Sequence, residues 1–464
     1  MIARTIVARP IIAHMLKRRL AGRAFARAAA LILYICATLA ALPADAVEIR
    51  DYRSPAGIGF WMVEDYTVPI VTLAFDFRGG ASQDPEGKAG LASLLSAMMD
   101  EGAGERSTAQ LKQALEERGI EAGFSAGRDA VSGGMRVLAG EAEPAYALLA
   151  DMLLRPRFEP ASLERIRAGY IQSAVRARKD PDAVIRDTFR EMLFAGHPYG
   201  RDVHGDETTL AAITRQDIVA QHRRLMARDN LVIGLVGAVS PQEAGRLIDL
   251  AFAGLPAKAE LMPVADVAPQ LGFARHIAFP APQASVVIAY PGVKRSDPDF
   301  FTAYTMNHIL GGGTFSSRLY DEIREKRGLV YGVGSDLVTL AHAAYLSGGF
   351  STRPDQAADA LALMQSEIGR MAQEGPTGEE LEAARKYILG AYAINNLDTS
   401  SKIADVLVAL QAEGLPIDYI DRRRDSIEAV TLEGVRAMAK RLLSAQPAVI
   451  TIGAPVPPTD AAAD

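Results

Sequence analysis

The second half of this chain repeats the first, and that duplication constrains the fold more than any single motif. "FEPASLERIRAGYI" (158–171) is matched by "GPTGEELEAARKYI" (375–388), and "LAAITRQDIVAQHRRLMARDNLVIGLVGAV" (210–239) by "SIEAVTLEGVRAMAKRLLSAQPAVITIGAPV" (426–456). Thr214 corresponds to Thr431 and Gly237 to Gly453, an offset of about 217 residues. That period is too long for a solenoid unit and fits a duplicated domain. The 464 residues, 49% apolar and 23% charged, are an ordinary globular composition spread over more length than one core serves.

Each half carries the same order of patterns. An alternating apolar strand ("VPIVTLAFDFRGG", 68–80; "ASVVIAYPGV", 284–293) leads into a helix ("KAGLASLLSAMMDEG"; "FFTAYTMNHILGGG"). Further helices follow with strands such as "AVSGGMRVLAG" and "AAYLSGGFST" between them, and an apolar strand closes the unit. Period-2 strands mixed with helices predict an α+β fold of two homologous domains, each a mostly antiparallel sheet covered by helices. The domains are placed at residues 47–255 and 272–464. Between them "PAKAELMPVADVAPQL" (256–271) mixes Ala, Pro and polar residues without period and reads as a linker.

The first 46 residues read separately. Arg18, Arg19, Arg23 and Arg27 precede an apolar run of about 15 residues, and Ala44-Asp45-Ala46 supplies a small-x-small cleavage site. This predicts a cleaved signal peptide over 1–46 and a periplasmic mature chain; a start at Met15 would give a leader of more usual length. The run is short of the roughly 20 residues a bilayer span needs, and no later stretch is long enough. The single cysteine, Cys36, falls in the leader, in a context too bulky for a lipoprotein site, so the mature chain forms no disulfide. Removing the leader's seven Lys/Arg and one Asp from 50 and 56 leaves 43 and 55, a net charge of about −12. That excludes a nucleic-acid partner held by phosphate neutralisation.

The chemistry-bearing stretch of the first half has lost its chemistry. In "GLASLLSAMMDEG" (90–102), Leu91, Leu94, Leu95, Met98 and Met99 form the stripe of a core helix. The other face places Ser93, Ser96 and Ala97 at the spacing of H-x-x-E-H, in which two histidines a turn apart hold zinc and the glutamate activates water. Hydroxyls and a methyl cannot hold zinc, and the histidines after the leader (His197, His204, His222, His276, His308, His342) offer no i, i+4 pair. This chain is expected to bind no metal.

Three stretches together identify a family. "FRGGASQDPEGKAGLASLLSAMMDEGAGERS" resembles the zinc-binding region of the pitrilysin (insulinase) family of metallopeptidases, with Ala81 where that family has serine. "FAGHPYGRDVHG" (194–205) resembles another of its segments, and "LGGGTFSSRLYDEIREKRGLVYGVGS" (310–335) its most recognisable C-terminal motif. The resemblance covers nearly all of residues 48–456. The family's third zinc ligand, a glutamate about 75 residues beyond the inverted motif, has no counterpart, since "RIRAGYIQSAVRARK" (165–179) contains no carboxylate.

The resemblance also implies what remains. Complete members of the family use an arginine and a tyrosine seven residues apart in the C-terminal half to contact substrate near the scissile bond. Arg324 and Tyr331 stand at that spacing; both side chains are donors able to bind a carbonyl and steady an oxyanion. Gly328 is expected to end the helix and turn the chain into a strand bearing Tyr331. Gly311, Gly312 and Gly313 read equally as a helix stop or as the substrate-handling glycine loop of the non-catalytic subunit of mitochondrial processing peptidase. His197, lacking a ligand partner, reads as structural.

The implied function is the non-metal-binding subunit of a heterodimeric periplasmic zinc endopeptidase, half of a clamshell acting on peptides or small unfolded proteins. A partner subunit bearing H-x-x-E-H would bring the zinc. Two alternatives stand beside it: a non-proteolytic peptide-binding or scaffold homodimer of the envelope, and an enzyme using Ser93 or Ser96 as nucleophile.

Overall fold

The computed structural model describes residues 48–453; the expected signal peptide with Cys36 lies outside the described residues. Two sheets form the frame. The first contains β1 (Arg50–Arg53), β2 (Gly59–Glu64), β3 (Ile70–Arg78), β4 (Glu121–Ala126), β5 (Ala130–Leu138) and β6 (Leu231–Gly237) in the order β1-β2-β6-β3-β5-β4. The second contains β7 (Ala274–Ala278), β8 (Ala284–Pro291), β9 (Val333–Thr339), β10 (Ala344–Thr352) and β11 (Ala448–Gly453) in the order β7-β11-β8-β10-β9. Each sheet is antiparallel except for one parallel pair, β2 with β6 and β7 with β11.

The helices that cover these sheets include α1 (Leu91–Met98), α2 (Pro160–Ala177), α3 (Pro181–Leu193), α4 (Phe300–Asn307), α5 (Gly378–Asn396), α6 (Ser400–Ala412) and α7 (Leu432–Leu443). Repeat-related residues do the same structural work in both halves. Thr214 caps the helix before β6 by accepting from Asp217 N, and Thr431 caps α7 by accepting from Gly434 N. Such caps satisfy amide groups that a helix start leaves open. Gly237 and Gly453 end β6 and β11 with the same φ of 150°, a region side chains avoid.

The halves are interlocked. Ile185, Phe189 and Leu193 of α3, from the first half, pack in one core with Ala289, Ala448, Ile450 and Ile452 of the second sheet. In return α6, from the second half, lies on the first sheet, where Gln411 Nε2 donates to Ile233 O at 2.8 Å and Thr72 Oγ1 is 2.9 Å from Ser400 Oγ. Helices α3 and α6 occupy corresponding places in the repeat, so each half covers part of the other's sheet. Residues 256–271 contain no helix or strand, and they are tied to both sides: Met262 N donates to Gln83 Oε1 at 2.7 Å and Val267 N to His342 O at 2.8 Å. Among the described residues, no helix is long and apolar enough to cross a membrane.

Candidate functional site

Helix α1 forms for the reason its stripe predicts: Leu91, Leu94, Leu95, Met98 and the following Met99 are at most 1% exposed in the first core. Its N-terminus is capped from a distance. The Asp84 carboxyl accepts from Gly90 N, Leu91 N and Ala92 N at 2.9–3.1 Å, supplying acceptors where the helix presents open donors.

The face that would hold zinc is occupied by its own hydrogen bonds. Ser93 is 1% exposed; its Oγ donates to Val203 O at 2.7 Å and lies 3.3 Å from His204 Nδ1. Ser96 Oγ donates back to Ser93 O at 2.9 Å, the local bond serine makes within a helix. On the facing helix α2, Tyr170 places its hydroxyl 3.5 Å from Ser93 O. These groups do not fit zinc, which takes imidazole, thiolate or carboxylate. Among the described residues, no cluster of three or more His, Cys, Asp or Glu is placed to hold a metal ion.

The nearness of His204 to Ser93 was invisible in the sequence, where 111 positions separate them. It does not make a nucleophile. The short bond of the Ser93 hydroxyl, 2.7 Å, goes to the main-chain Val203 O, and His204 Nδ1 stands farther off at 3.3 Å, so the hydroxyl is spent on the backbone rather than on a base. Burial also keeps Ser93 from a substrate carbonyl.

In the second half, Arg324 and Tyr331 are brought together. Arg324 lies in a π-helical turn, Tyr320–Glu325, a rare geometry often found at functional sites. Its Nε donates to Tyr331 O at 2.9 Å, an Nη pairs with Glu325, and the guanidinium lies over the Tyr320 ring, 4.8 Å from its centroid. Lys326 and Arg327 bond Glu322 and hold its carboxyl down to about 2, pinning the C-terminal end of this turn. Gly328 follows at φ 62°, its N–H donating to Arg324 O at 2.9 Å, and so ends the turn as expected.

The expected strand at Tyr331 is corrected: β9 starts at Val333, and Tyr331 lies just ahead of it. Free of the ladder, Tyr331 is 83% exposed. Phe315, also exposed, packs edge-on against the buried Tyr320 at 5.2 Å, and Tyr320 in turn carries the Arg324 guanidinium that bonds the main chain of Tyr331.

The glycines Gly311, Gly312 and Gly313 finish α4 through a second π-helical turn, His308–Gly312. Their need for glycine is steric: a Cβ on Gly311 would stand 2.7 Å from Ser335 N, and one on Gly313 2.8 Å from His308 O. Close seating lets Asn307 and Ser335 bond twice, Asn307 Nδ2 to Ser335 O at 3.1 Å and Ser335 Oγ to Asn307 Oδ1 at 2.6 Å. The turn thereby fixes the segment just before Phe315 against β9.

His197 serves the seam between the halves. Its Nδ1 accepts from Tyr199 N at 3.1 Å, and its Nε2 is 3.0 Å from Ala265 O in the connecting segment. The adjacent Tyr199, fully buried, donates its hydroxyl to Asp129 Oδ1 at 2.6 Å and accepts from His342 N at 2.9 Å. Burial and the Asp129 carboxylate hold that phenol strongly in its neutral form.

Residues 61–207 match the family profile described as insulinase, peptidase family M16, and residues 212–388 match the one described as the peptidase M16 inactive domain. The chain belongs to the M16 peptidase family. It is similar to the Helicobacter pylori protein named non-peptidase homolog YmxG, with 25% identity over 381 residues, 81% of this chain and 87% of that one. An uncharacterized zinc protease of Streptomyces coelicolor is 26% identical over 412 residues, 87% of this chain and 89% of its own. Among solved structures, the peptidase M16 inactive domain from Pseudomonas fluorescens superposes with a TM-score of 0.83 at 28% identity, covering 88% of this chain and 98% of that one. This chain is thus an M16-like protein whose relatives include one named as a non-peptidase, and its own inverted-motif positions hold no metal ligands.

Proposed function

We propose that the chain is the non-metal-binding, substrate-contacting subunit of a two-chain zinc endopeptidase of the periplasm, its partner bringing H-x-x-E-H and the metal. The observation that carries this reading is an asymmetry. The zinc face of α1 is closed by Ser93, Val203 and His204, while Arg324 and Tyr331 remain tied together and open to solvent. A scaffold has no use for an exposed guanidinium and phenol held at one spot. The phenol hydroxyl of Tyr331 makes no hydrogen bond to other described residues, and the planar guanidinium keeps donors beyond the one spent on Tyr331 O. Together they offer donors to the carbonyl of a peptide laid across this face, including one acquiring negative charge as it is attacked. The peptide would be an unfolded segment or small unfolded protein, and the apolar leader supports an envelope location.

The test is a gentle pull-down of the chain from its native envelope fraction with mass spectrometry, followed by a zinc-dependent peptide-cleavage assay of what is recovered. A stoichiometric partner bearing H-x-x-E-H, with cleavage that needs both chains, is the expected result. The name of the Helicobacter pylori relative favours a second reading, a peptide-holding homodimer without proteolysis. Recovery of the homodimer alone, repeated after crosslinking, would replace the first reading with the second.

A further inference from the structure

A cavity of about 1160 Å³ lies between α2, α3 and the 200–209 loop, directly outside the closed zinc face. Tyr170 and His204, which shield Ser93, are in its wall. It exceeds the roughly 300–1,000 Å³ of pockets shaped for small ligands. Its charge is what the carboxylate-free run at 165–179 leaves behind.

Three arginines in the wall are neutralised: Arg165 by Glu101 at 2.6 Å, Arg178 by Glu207 at 2.7 Å, and Arg190 by Asp187 and Asp202 at 2.8 and 3.3 Å. Two others, Arg176 and Arg186, are not paired with a carboxylate among the described residues. Among the described residues Arg176 bonds only Ser173 Oγ, at 2.9 Å, and Arg186 has no hydrogen bond or ion pair. Arg201, also in the wall, is engaged by the 84 segment, donating to the main-chain Asp84 O at 2.8 Å with its charge acting on the Asp84 carboxyl. Of the wall's carboxylates, Asp187 and Asp202 are engaged by Arg190 and Asp206 caps the following helix, which leaves Glu191 alone.

We infer that this cavity binds an acidic peptide segment through Arg176 and Arg186. Guanidinium groups bind carboxylates through two parallel bonds, so side-chain carboxylates suit them better than an amide-only chain. A peptide is favoured over a lone anion by continuity. Arg186 also lines a second cavity of about 560 Å³ that contains Tyr331, so an extended chain can run from the arginines toward the exposed phenol. The inference concerns this chain by itself and does not depend on a peptidase partner.

The test is fluorescence anisotropy on the purified chain without a partner, using a fluorescein-labelled decapeptide rich in Glu and its Lys counterpart. The Glu peptide is expected to bind at least about tenfold more tightly, weakening as salt rises. Arg176→Glu with Arg186→Glu, both solvent-exposed side chains, should abolish that preference while the melting temperature is kept. Arg422→Glu with Arg424→Glu makes the same charge change on the Tyr419–Glu428 helix, which lines no part of the cavity, and should leave binding intact. Equal loss in both double variants would mean diffuse charge attraction and would overturn the site. Displacement by inorganic phosphate at concentrations matching the peptide's own affinity would reduce it to a small-anion site and overturn the peptide assignment.

Discussion

Gly234 on β6 faces Ala404 on α6 so closely that a Cβ on the glycine would stand 2.5 Å from the Ala404 carbonyl oxygen and 2.8 Å from Leu407 Cβ. The first sheet is therefore shaped to receive a helix that comes from the second half. Gly234→Ala should destabilise the whole chain by about 1–3 kcal/mol, the range for overpacking a tight contact. Urea unfolding followed by tryptophan fluorescence reads this directly, because the single Trp61 pairs with Gly234 across β2 and β6. A stability change within error would show that α6 is not held there.

Tyr199→Phe removes one hydroxyl that serves both halves, leaving Asp129 and the His342 amide each without a bond it now has. The expected cost is about 1–3 kcal/mol, because buried polar groups lose their partners while the ring still fits. Differential scanning calorimetry should show a lower transition temperature, and hydrogen exchange should rise around residues 341–343 and 129 together. Unchanged exchange at both would remove Tyr199 from the seam.

These two sites show which parts of the fold were legible in the sequence. Caps and chain-reversing glycines are local, so Thr214 with Thr431 and Gly237 with Gly453 announced the duplication, and the structure places each pair in equivalent roles. The apolar spacing of Ile185, Phe189 and Leu193 announces a helix with a buried side but carries no address. Which sheet it covers is decided by contacts with residues from Ala289 to Ile452, far along the chain. The same holds for His204 beside Ser93. Tyr331 was placed in a strand because an alternating run follows it, yet its bond from Arg324 holds the chain out of the ladder until Val333.

Asp84 gives the chain a pH dependence. Burial pushes its carboxyl from 3.8 up to about 7, against the pull of the three α1 amides and Arg201. The folded state therefore binds this proton more tightly than the unfolded state does. Between about pH 4 and 7 the unfolded group is ionised while the folded one holds its proton, so Asp84's contribution to stability grows as pH falls through that window. Asp84→Asn cannot titrate and should flatten this part of the profile. Urea midpoints at pH 5 and 7.5 for both proteins check it, and equal slopes would exclude Asp84 as the source.

Restoring the motif letters alone should not restore the metal. The triple variant Ser93→His, Ser96→Glu, Ala97→His places imidazoles against Val203 O and His204, with no carboxylate among 165–179 to complete the set. Elemental analysis after dialysis against zinc is expected to find well below one ion per chain. One tightly held zinc per chain would show that the 203–204 segment yields easily.

Arg324→Ala should lower turnover of the proposed complex by about 10- to 1000-fold, the scale of losing one donor to a developing oxyanion, while the two chains still co-purify. Turnover equal to the wild type would end the substrate role. Tyr331→Phe, which removes only the free phenol hydroxyl, should give a smaller loss in the same assay.

The tether between these two residues has a consequence for how the site can change over time. Arg324 grips the main-chain oxygen of position 331, an atom every amino acid carries, so its posture is indifferent to the side chain found there. A substitution at position 331 thus changes the side chain offered there while the arginine stays aimed as before, so the two donors can be altered one at a time.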